Sequence, residues 1–372
     1  MRTKMTDLLG VEFPICAFSH CRDVVAAVSN AGGFGILGAV AHSPDRLDTE
    51  LTWIEEQTGG RPYGVDLLLP PKYVGADSGG IDAEQVRALL PEEHREFLDE
   101  LLGRYDVGAA VGEPSPARGL NVSPKGYAPL LDVAFAHDIR LIASALGPPP
   151  ADLVERAHDN DVVVAALAGS TKHALRHAAA GVDLIVAQGT EAGGHTGEVA
   201  TMVLVPEVVD AVAPVPVLAA GGIGNGRQMA AALALGAEGV WCGSVWLTTE
   251  EAETSPVVKE KFLAATSSDT VRSRSLTGKP ARMLRTAWTD EWERPGAPAP
   301  LGMPLQTALV AGPQRRIDAA AHPDAHAREL ATYFVGQVVG SLNKIRPTRA
   351  VVLDMVGEFI DAVQRLDELV QR

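Results

Sequence analysis

The sequence predicts a closed (β/α)8 TIM barrel, an α/β fold in which parallel strands alternate with helices. Short apolar runs rich in β-branched residues recur along the chain, and an Ala/Leu-rich helical pattern follows most of them after a glycine-containing turn. There are eight such runs. Only closure removes both exposed edges of a parallel sheet of that size, so a closed barrel is favoured over an open sheet.

The predicted strands occupy the first two thirds of the chain. In order they cover residues 13–17, 34–37, 63–69, 139–145, 162–166, 182–187, 215–220 and 239–242. Helical patterns between them include residues 23–30, 150–159, 171–180 and 226–235. In such a barrel the carboxyl ends of all strands meet at one mouth, where the active sites of these enzymes lie.

Two stretches interrupt the repeat. Residues 70–129 are too long for a βα connection; they contain a predicted helix at 91–102 and a Gly/Pro/Ser-rich tract at 112–126, so we predict an insertion after the third strand. Residues 250–349 are predicted to cap one barrel mouth and to cover the substrate. The predicted domains are therefore a barrel at 1–249, this cap, and a C-terminal segment at 350–372 whose helix packs on the barrel wall.

Composition limits the classes of function. The chain has 372 residues, 46% of them hydrophobic, and 47 acidic against 32 basic residues give a net charge of -15. Such a protein offers no general basic surface for a phosphate backbone, so we expect no nucleic-acid partner. No apolar run approaches the ~20 residues that span a bilayer, and the first residues lack the apolar core of a secretory signal. We expect a cytoplasmic protein without a membrane partner.

Cysteines and histidines give no sign of a metal site. Cys16, Cys21 and Cys242 are too few and too scattered for a disulfide framework or a zinc pattern, and we expect reduced thiols. His173 and His177 are four residues apart on a predicted helix, but a metal site needs at least one more ligand and none is evident. We expect these two histidines at the surface.

Residues 33–38 read Gly-Phe-Gly-Ile-Leu-Gly and match the G-x-G-x-x-G pattern of dinucleotide-binding folds. That pattern should follow a strand and open a helix. Here a predicted helix precedes the glycines, and residues 34–37 are themselves the second strand. The context therefore indicates tight turns at either end of that strand rather than a dinucleotide site.

Two glycine turns follow the seventh and eighth strands. The first contains Gly221, Gly222 and Gly224 and precedes a predicted helix, and the second is Gly243 followed by Ser244. Glycines let backbone N–H groups approach an anion at a helix N-terminus, and the serine adds a hydroxyl donor. Many barrel enzymes hold a phosphate in these two loops, so we predict a phosphate site here.

The turn after the sixth strand carries the most specific signal in the chain. Residues 186–197 read Val-Ala-Gln-Gly-Thr-Glu-Ala-Gly-Gly-His-Thr-Gly. Gln188 offers an amide, Gly193 and Gly194 permit close approach by a flat ligand, and His195 would project into the mouth. A neutral imidazole is well matched to accepting a proton near pH 7, so we predict that His195 is a general base. The alternative is a solvent-facing loop histidine.

Together these segments resemble the nitronate monooxygenase family, formerly called 2-nitropropane dioxygenases, which are FMN enzymes on a (β/α)8 barrel. The resemblance covers nearly the whole chain and is most specific at residues 187–195. It extends to residues 26–33, 220–223, 243–244, 277–282, 304–309 and 336–337.

The resemblance implies FMN as the cofactor and O2 as the oxidant of a small nitronate substrate. The residues that it places around FMN are Ala17, Phe18, Ser19, Asp66, Gln188, Gly193, Gly194, Gly221, Gly222, Gly224, Gly243 and Ser244. His195 would lie over the flavin and act as general base on a nitroalkane, or orient an anionic nitronate. Electron transfer to FMN and reaction with O2 would give a carbonyl compound and nitrite, and this redox chemistry belongs to the cofactor.

Three features depart from the family's usual pattern. Many members have a Pro-Met pair at the end of the first strand, where this chain has Ala17, Phe18 and Ser19. A flavin-contacting Asn on the third strand is here Asp66, which removes an amide donor and, if ionised, places a negative charge near the ring. The insertion at residues 70–129 is larger than usual and adjoins the substrate mouth.

The same pattern also resembles FMN-dependent enoyl-thioester (CoA or acyl-carrier-protein) reductases, NAD(P)H:quinone reductases and CoA-thioester dehydrogenases. These enzymes move hydride between FMN and a nicotinamide or thioester without needing O2, and their substrate would be a quinone or a thioester. A nucleotide or CoA site should show basic residues at the mouth. The candidates are Arg272, Arg274, Lys279, Arg282 and Arg285, although such a cluster is more typical of a solvated face.

A third hypothesis, a non-catalytic flavin-binding barrel, leaves His195 and its glycines unexplained. Apolar barrel and cap surfaces are compatible with a homodimer.

Overall fold

Eight parallel strands close into a barrel in the computed structural model, which describes residues 1–78, 80–108 and 122–371. The strands in chain order are β1 (Ile15–Ser19), β2 (Phe34–Gly38), β3 (Tyr63–Leu68), β4 (Leu141–Ala145), β5 (Val163–Ala168), β6 (Leu184–Gln188), β7 (Gly194–His195), β8 (Val217–Ala220), β9 (Gly239–Cys242), β10 (Thr270–Ser273) and β11 (Ala281–Leu284). All but β7, β10 and β11 belong to the barrel, and β9 pairs with β1 to close it. The predicted (β/α)8 fold is confirmed.

The predicted strand positions are correct to within two residues at each end. Several apolar runs begin before the hydrogen-bonded strand itself, because the residues that lead into a strand are buried as well. Ile139 and Val182, for example, are buried although β4 and β6 begin two residues later. Burial therefore extends further along the chain than backbone pairing.

Helices lie between the strands and beyond them. In chain order they are α1 (Lys4–Leu9), α2 (Arg22–Asn30), α3 (Pro44–Thr58), α4 (Ala83–Leu89), α5 (Glu92–Arg104), α6 (Pro124–Ala134), α7 (Ala151–Asp159), α8 (Thr171–Ala179), α9 (Thr201–Val212), α10 (Gly226–Ala234), α11 (Pro256–Ala264), α12 (Ala287–Glu293), α13 (Leu305–Ala320) and α14 (Thr348–Val370). The four helical patterns predicted between strands correspond to α2, α7, α8 and α10.

Side chains alternate between two cores because successive strand residues point to opposite faces. The outer core, between strands and helices, includes Ile15, Val65 and Ile185. The inner core fills the barrel and includes Phe34, Leu141 and Trp241. Helix α1, which the sequence pattern did not predict, places Met5 and Leu9 in this inner core.

The insertion and the cap share a third core. Helix α5, predicted at residues 91–102, contributes Phe97 and Leu101, which cluster with Phe262 of α11 and Trp288 of α12. The predicted Gly/Pro/Ser-rich tract lies partly outside the described residues, at 112–121, and its last residues begin α6. The division of the chain into barrel, cap and C-terminal segment remains a prediction.

The glycines of residues 33–38 serve a turn at the start of β2 and close packing along the strand. As predicted, Gly33 lies in the turn that joins α2 to β2, and its N–H donates to the carbonyl oxygen of Val28 at 3.1 Å. A Cβ at Gly35 would lie 2.3 Å from the carbonyl oxygen of Val25, and one at Gly38 would lie 2.6 Å from the ring of His20. The glycines therefore let α2 and the loop after β1 approach β2. A helix precedes this strand, as predicted.

The histidine pair on α8 was predicted only half correctly. His173 is exposed, but His177 is buried, and its Nε2–H donates to the carbonyl oxygen of Leu167 at 3.0 Å. The two side chains differ because His177 shares the inner side of α8 with Ala174. Cys16, Cys21 and Cys242 are all free thiols and all buried.

Helix α14, predicted at residues 351–369, packs against α10 through its first half. Val352 and Met355 are buried there, and a Cβ at Gly226 of α10 would lie 2.2 Å from the carbonyl oxygen of Met355. Its second half exposes apolar side chains such as Ile360 and Leu366. Among the described residues, no helix combines the length and the hydrophobicity that crossing a membrane requires.

Candidate active site

The carboxyl ends of the barrel strands meet at one mouth, and three predicted site residues direct their side chains into the interior. These are Phe18 on β1, Asp66 on β3 and Gln188 on β6. The residues that precede them in the outer core are Ala17, Val65 and Ala187. Because neighbouring side chains alternate, Phe18, Asp66 and Gln188 face inward.

The segment Ala17-Phe18-Ser19 therefore does not present three side chains to one ligand. Ala17 is fully buried in the outer core and can offer only its backbone to the mouth. The hydroxyl of Ser19 accepts a hydrogen bond from the Cys21 N–H at 3.0 Å. The ring of Phe18 stacks on Trp241 with centroids 6.5 Å apart. Only Phe18 combines an inward direction with a side chain large enough to shape the mouth.

The turn after β6 is held by Glu191. Its carboxylate accepts hydrogen bonds from the backbone N–H and the hydroxyl of Thr201, at 2.9 and 2.8 Å. Thr201 is the first residue of α9, where a negative charge also interacts favourably with the helix dipole. The Thr201 hydroxyl lies 3.1 Å from the carbonyl oxygen of Gly221. Glu191 and Thr201 thus join the turn after β6 to the glycine turn after β8.

The glycine turn after β8 has a backbone that only glycine adopts without strain. Gly221 and Gly222 have φ of 104 and 71°. A Cβ at Gly221 would lie 2.8 Å from the Thr201 hydroxyl oxygen. At Gly243, by contrast, a Cβ would meet nothing nearer than the Phe18 ring at 3.9 Å. The two turns leave bare backbone at the mouth, the kind of surface that a phosphate group can approach.

Two of the residues predicted to bind a phosphate already form hydrogen bonds within the protein. The Gly224 N–H donates to Gln228 Oε1 at 2.8 Å. The Ser244 hydroxyl accepts from the Gly336 N–H at 2.8 Å, so only its own proton remains for a ligand. Gly221, Gly222 and Gly243 therefore fit a phosphate better than Gly224 does.

The cap covers the glycines that precede His195. A Cβ at Gly193 would lie 2.8 Å from the backbone nitrogen of Gly336, so this glycine makes room for the cap backbone. The neighbouring Gln337 N–H donates to the carbonyl oxygen of Glu191 at 2.9 Å. Gly194, with φ of 75°, has open space where its Cβ would be and remains the glycine beside which a ligand can lie.

His195 lies in β7, which pairs with the cap strand β11 rather than with the barrel. Ala281 of β11 is its partner in the ladder. The imidazole Nε2 lies 2.9 Å from the hydroxyl oxygen of Thr277. This hydroxyl donates to the carbonyl oxygen of Lys279 at 3.1 Å. Since it has one proton, it accepts from Nε2–H, and Nδ1 keeps its lone pair.

The imidazole is neutral at physiological pH. Burial, and to a smaller extent the positive charge of Lys279, lower the pKa of His195 to about 4. Burial also lowers the pKa of Lys279 itself. The Phe334 ring lies on the cap side of the imidazole, with centroids 6.3 Å apart. The site thus holds a neutral histidine beside a half-buried lysine.

Most of the predicted basic cluster holds the protein together. The Arg282 Nε–H donates to the carbonyl oxygen of Thr190 at 2.8 Å, and Arg272 Nη2 donates to that of Thr196 at 3.3 Å. Arg274 and Arg285 bond to residues of the cap. Arg282 is buried, so the prediction of a solvated face is wrong for it. Lys279 differs, because within the described part of the chain its ammonium has no hydrogen-bond or carboxylate partner.

A thiol and two carboxylates cluster at the start of α2, where Cys21, Asp23 and Glu253 have ligand atoms within 4.8 Å of one another. The Cys21 thiol donates to the carbonyl oxygen of Glu251 at 3.1 Å. Burial raises the pKa of Cys21, which keeps the thiol protonated and disfavours metal binding. We assign no metal to this cluster.

Sequence reasoning did not foresee three residues of the site. Thr277 lies in a segment that carries the family resemblance, but nothing in the pattern linked it to His195. Glu191 stands inside the glycine-histidine turn, and Phe334 has no local signal. Thr277 and Phe334 contact His195 from segments far along the chain, and Glu191 bonds to Thr201, ten residues after it.

Comparison with known proteins places these features in a family. The family model described as nitronate monooxygenase matches residues 2–358. "Putative monooxygenase Rv1533" of Mycobacterium tuberculosis is 79% identical over 375 residues, covering all of both chains. A (3aS,4S,5R,7aS)-5-hydroxy-7a-methyl-1-oxo-octahydro-1H-indene-4-carboxyl-CoA dehydrogenase of Rhodococcus jostii is 31% identical, covering 99% of this chain and 98% of that protein.

Two solved structures share the fold over nearly the whole chain. The nitroalkane oxidase of Streptomyces ansochromogenes has a TM-score of 0.80 at 27% identity, covering 97% of this chain and 99% of that one. FabK of Thermotoga maritima has a TM-score of 0.74 at 30% identity, covering 99% of both chains. The similarity thus extends over both the barrel strands and the residues that follow them.

Proposed function

The chain belongs to the nitronate monooxygenase family, and from that premise we propose that it is an FMN-dependent monooxygenase which oxidises alkyl nitronates or nitroalkanes with O2 to a carbonyl compound and nitrite. The observation that carries the proposal is the neutral imidazole of His195, held at the barrel mouth by Thr277 with Nδ1 able to accept a proton. It is an oxidoreductase of the nitronate monooxygenase type, and the substrate and the cofactor are the proposed parts.

The glycine turns support FMN. The positive-φ backbone of Gly221 and Gly222 and the open position at Gly243 suit a phosphate at the ends of β8 and β9. Phe18, Asp66 and Gln188 line the interior beside them and would border the isoalloxazine. When bound, FMN supplies an electron acceptor, which no side chain of the mouth can provide.

His195 would start the reaction of a neutral nitroalkane. Its Nδ1 removes a proton from the carbon that bears the nitro group, the C–H bond breaks, and the electron pair moves onto the nitro oxygens. The product is the nitronate anion and an imidazolium, which Thr277 continues to hold in place at Nε2. A pre-formed nitronate needs no such step, so the base matters for one form of the substrate only.

Lys279 would bind the negative charge of the nitronate. Its half-buried ammonium carries the only charge that acts on the pKa of His195 among the described residues. Bringing an anion beside it compensates a positive charge that the protein itself leaves unpaired. The same attraction favours formation of the nitronate from the nitroalkane.

A second candidate function is an FMN-dependent reductase or dehydrogenase acting on a nicotinamide and a quinone or thioester. The printed names of the Rhodococcus and Thermotoga relatives motivate it. The basic residues favour the first candidate, because four of the five cations expected to bind a nucleotide or CoA are bonded to protein groups.

An anaerobic experiment separates the two candidates. Purified protein loaded with FMN is mixed with NADH or NADPH, and separately with an alkyl nitronate, while the visible absorption band of the oxidised flavin is recorded. We expect the band to change when the nitronate is added and to stay unchanged when NADH or NADPH is added. Bleaching by the nicotinamide without a response to nitronate would move the assignment to the reductases. A protein that takes up no FMN would contradict both candidates.

A further inference from the structure

Asp66 is a buried carboxyl group with an unused side-chain oxygen. It lies in the middle of β3 with 5% of its surface exposed, and its side chain faces the barrel interior. Its Oδ2 atom has no hydrogen-bond partner among the described residues. The carboxyl group therefore contributes little to holding the fold together.

The neighbours of Asp66 in the barrel sheet offer its carboxyl group no polar side chain. Its partners in the ladder are Gly38 of β2 and Ala143 of β4, both of which have small or absent side chains. Burial raises the pKa of Asp66 well above its usual range, and no nearby charge contributes to the shift. This shift favours the protonated carboxylic acid, which can donate one hydrogen bond and accept others.

An unsatisfied buried polar group destabilises the folded protein, and a leucine of similar size would avoid that cost. Such a group at the mouth of a ligand-binding barrel therefore points to a hydrogen bond that forms when a ligand is present. The orphaned oxygen and the inward-facing side chain of Asp66 do not depend on His195.

We propose that Asp66 remains a neutral acid and donates a hydrogen bond to an acceptor atom of the isoalloxazine ring of FMN. This inference rests on the proposed function, since it needs the flavin. A neutral acid presents one donor and one acceptor, as an asparagine amide does. The Asp in this chain would then offer the ring a donor without adding a negative charge beside it.

Two measurements on wild type, Asp66→Asn and Asp66→Leu test the role. The first is the dissociation constant of FMN from titration of the flavin-free protein, and the second is its thermal unfolding temperature. We expect Asp66→Asn to bind FMN within about threefold of wild type and Asp66→Leu to bind about tenfold more weakly. The flavin-free Asp66→Leu protein should unfold at a higher temperature, because its orphaned polar group is gone.

Opposite changes in the two measurements distinguish a ligand contact from a structural role. Asp183 is the matched control, since its carboxylate accepts from the Val164 N–H at 2.8 Å at the other end of the barrel. Asp183→Leu should lower the unfolding temperature and leave FMN affinity of the folded protein unchanged. If Asp66→Leu behaves in the same way, Asp66 is a structural residue and the inference is overturned.

The reduction potential of bound FMN tests the charge. A neutral Asp66 predicts nearly equal midpoint potentials for wild type and Asp66→Asn. An ionised Asp66 predicts a more positive potential for Asp66→Asn, because a carboxylate disfavours electron uptake beside it, and that result would overturn the inference. A wild-type protein that binds no FMN would overturn the proposed function as well. Tight FMN binding that Asp66→Leu retains would overturn this inference alone.

Discussion

His195 Nε2 lies 2.9 Å from the hydroxyl oxygen of Thr277, which follows it by 82 residues in the chain. The histidine comes from the loop after β6 and the threonine from the cap, and the pairing of β7 with β11 brings them together. The barrel thus supplies the proposed base while the cap sets its tautomer. A barrel loop alone would leave the imidazole free to rotate, and Nδ1 would have no fixed direction.

Replacement of His195 by Asn should separate the two substrate forms. Because Nδ1 is proposed to accept the proton of a neutral nitroalkane, we expect kcat/KM for the nitroalkane to fall about 100-fold or more. The value for the pre-formed nitronate should fall much less, and FMN affinity should stay unchanged. Steady-state kinetics with both substrate forms measures this, with His173→Asn on the exposed face of α8 as the control. Equal losses on both forms would contradict the base role.

Replacement of Thr277 by Val should weaken the same step through the orientation of His195. The change keeps the shape of the side chain and removes the hydroxyl that accepts from Nε2–H. We expect kcat for the nitroalkane to fall about three- to tenfold, the effect of one hydrogen bond, while KM changes little. Thr277→Ser keeps the hydroxyl and should keep most of the rate. A valine variant as active as the serine variant would show that the tautomer does not depend on this contact.

The pH profile of the nitroalkane reaction should report His195 and its neighbour Lys279. The pKa of His195 is lowered to about 4, so the base is already neutral at pH 7 and kcat/KM should fall only in acid, as the imidazole becomes protonated. Lys279 contributes to this lowering, so Lys279→Met should raise the pKa and move the acid limb to higher pH. The same variant should raise KM for the nitronate anion. Lys172→Met, at an exposed position of α8, is the control. An acid limb that stays in place, or moves to lower pH, would contradict the proximity of the two charges.

Low pH should also destabilise the folded protein through His195. Its folded pKa lies below the value of about 6.5 expected in the unfolded chain. Between these values the unfolded chain binds a proton that the folded protein does not, so stability decreases as the pH falls from about 6.5 towards 4. His195→Asn removes this contribution and should flatten the curve of unfolding free energy in that window. Denaturant unfolding at several pH values measures it, and an unchanged curve would contradict the shift.

Most of the barrel was predictable because its signals are local. Strand runs such as residues 63–69 and the glycine turns at Gly221 and Gly243 are contiguous, and their periodicity survives in the fold. The cap sheet was not predictable, because β7 has only two residues and forms through pairing with a distant segment. The burial and hydrogen bonding of individual polar side chains were not predictable either. No sequence pattern shows that His177 is buried or that Asp66 lacks a partner, since both follow from tertiary packing.

The link between Glu191, Thr201 and Gly221 predicts that the glycine turn after β8, the proposed phosphate site, is sensitive to a single methyl group. A Cβ at Gly221 would lie 2.8 Å from the Thr201 hydroxyl oxygen, which itself donates to Glu191, and φ of 104° adds backbone strain. Gly221→Ala should therefore displace Thr201, lower stability and weaken FMN binding at least tenfold, roughly the effect of 1.4 kcal/mol.

Gly296→Ala is the matched control, because Gly296 has φ of 84° with nothing within 4 Å of where its Cβ would be. That variant should lose only about 1 kcal/mol of stability from the strained backbone. FMN titration and thermal unfolding of both variants measure the two effects. If Gly221→Ala loses stability like the control but binds FMN as wild type does, the turn after β8 does not hold the phosphate.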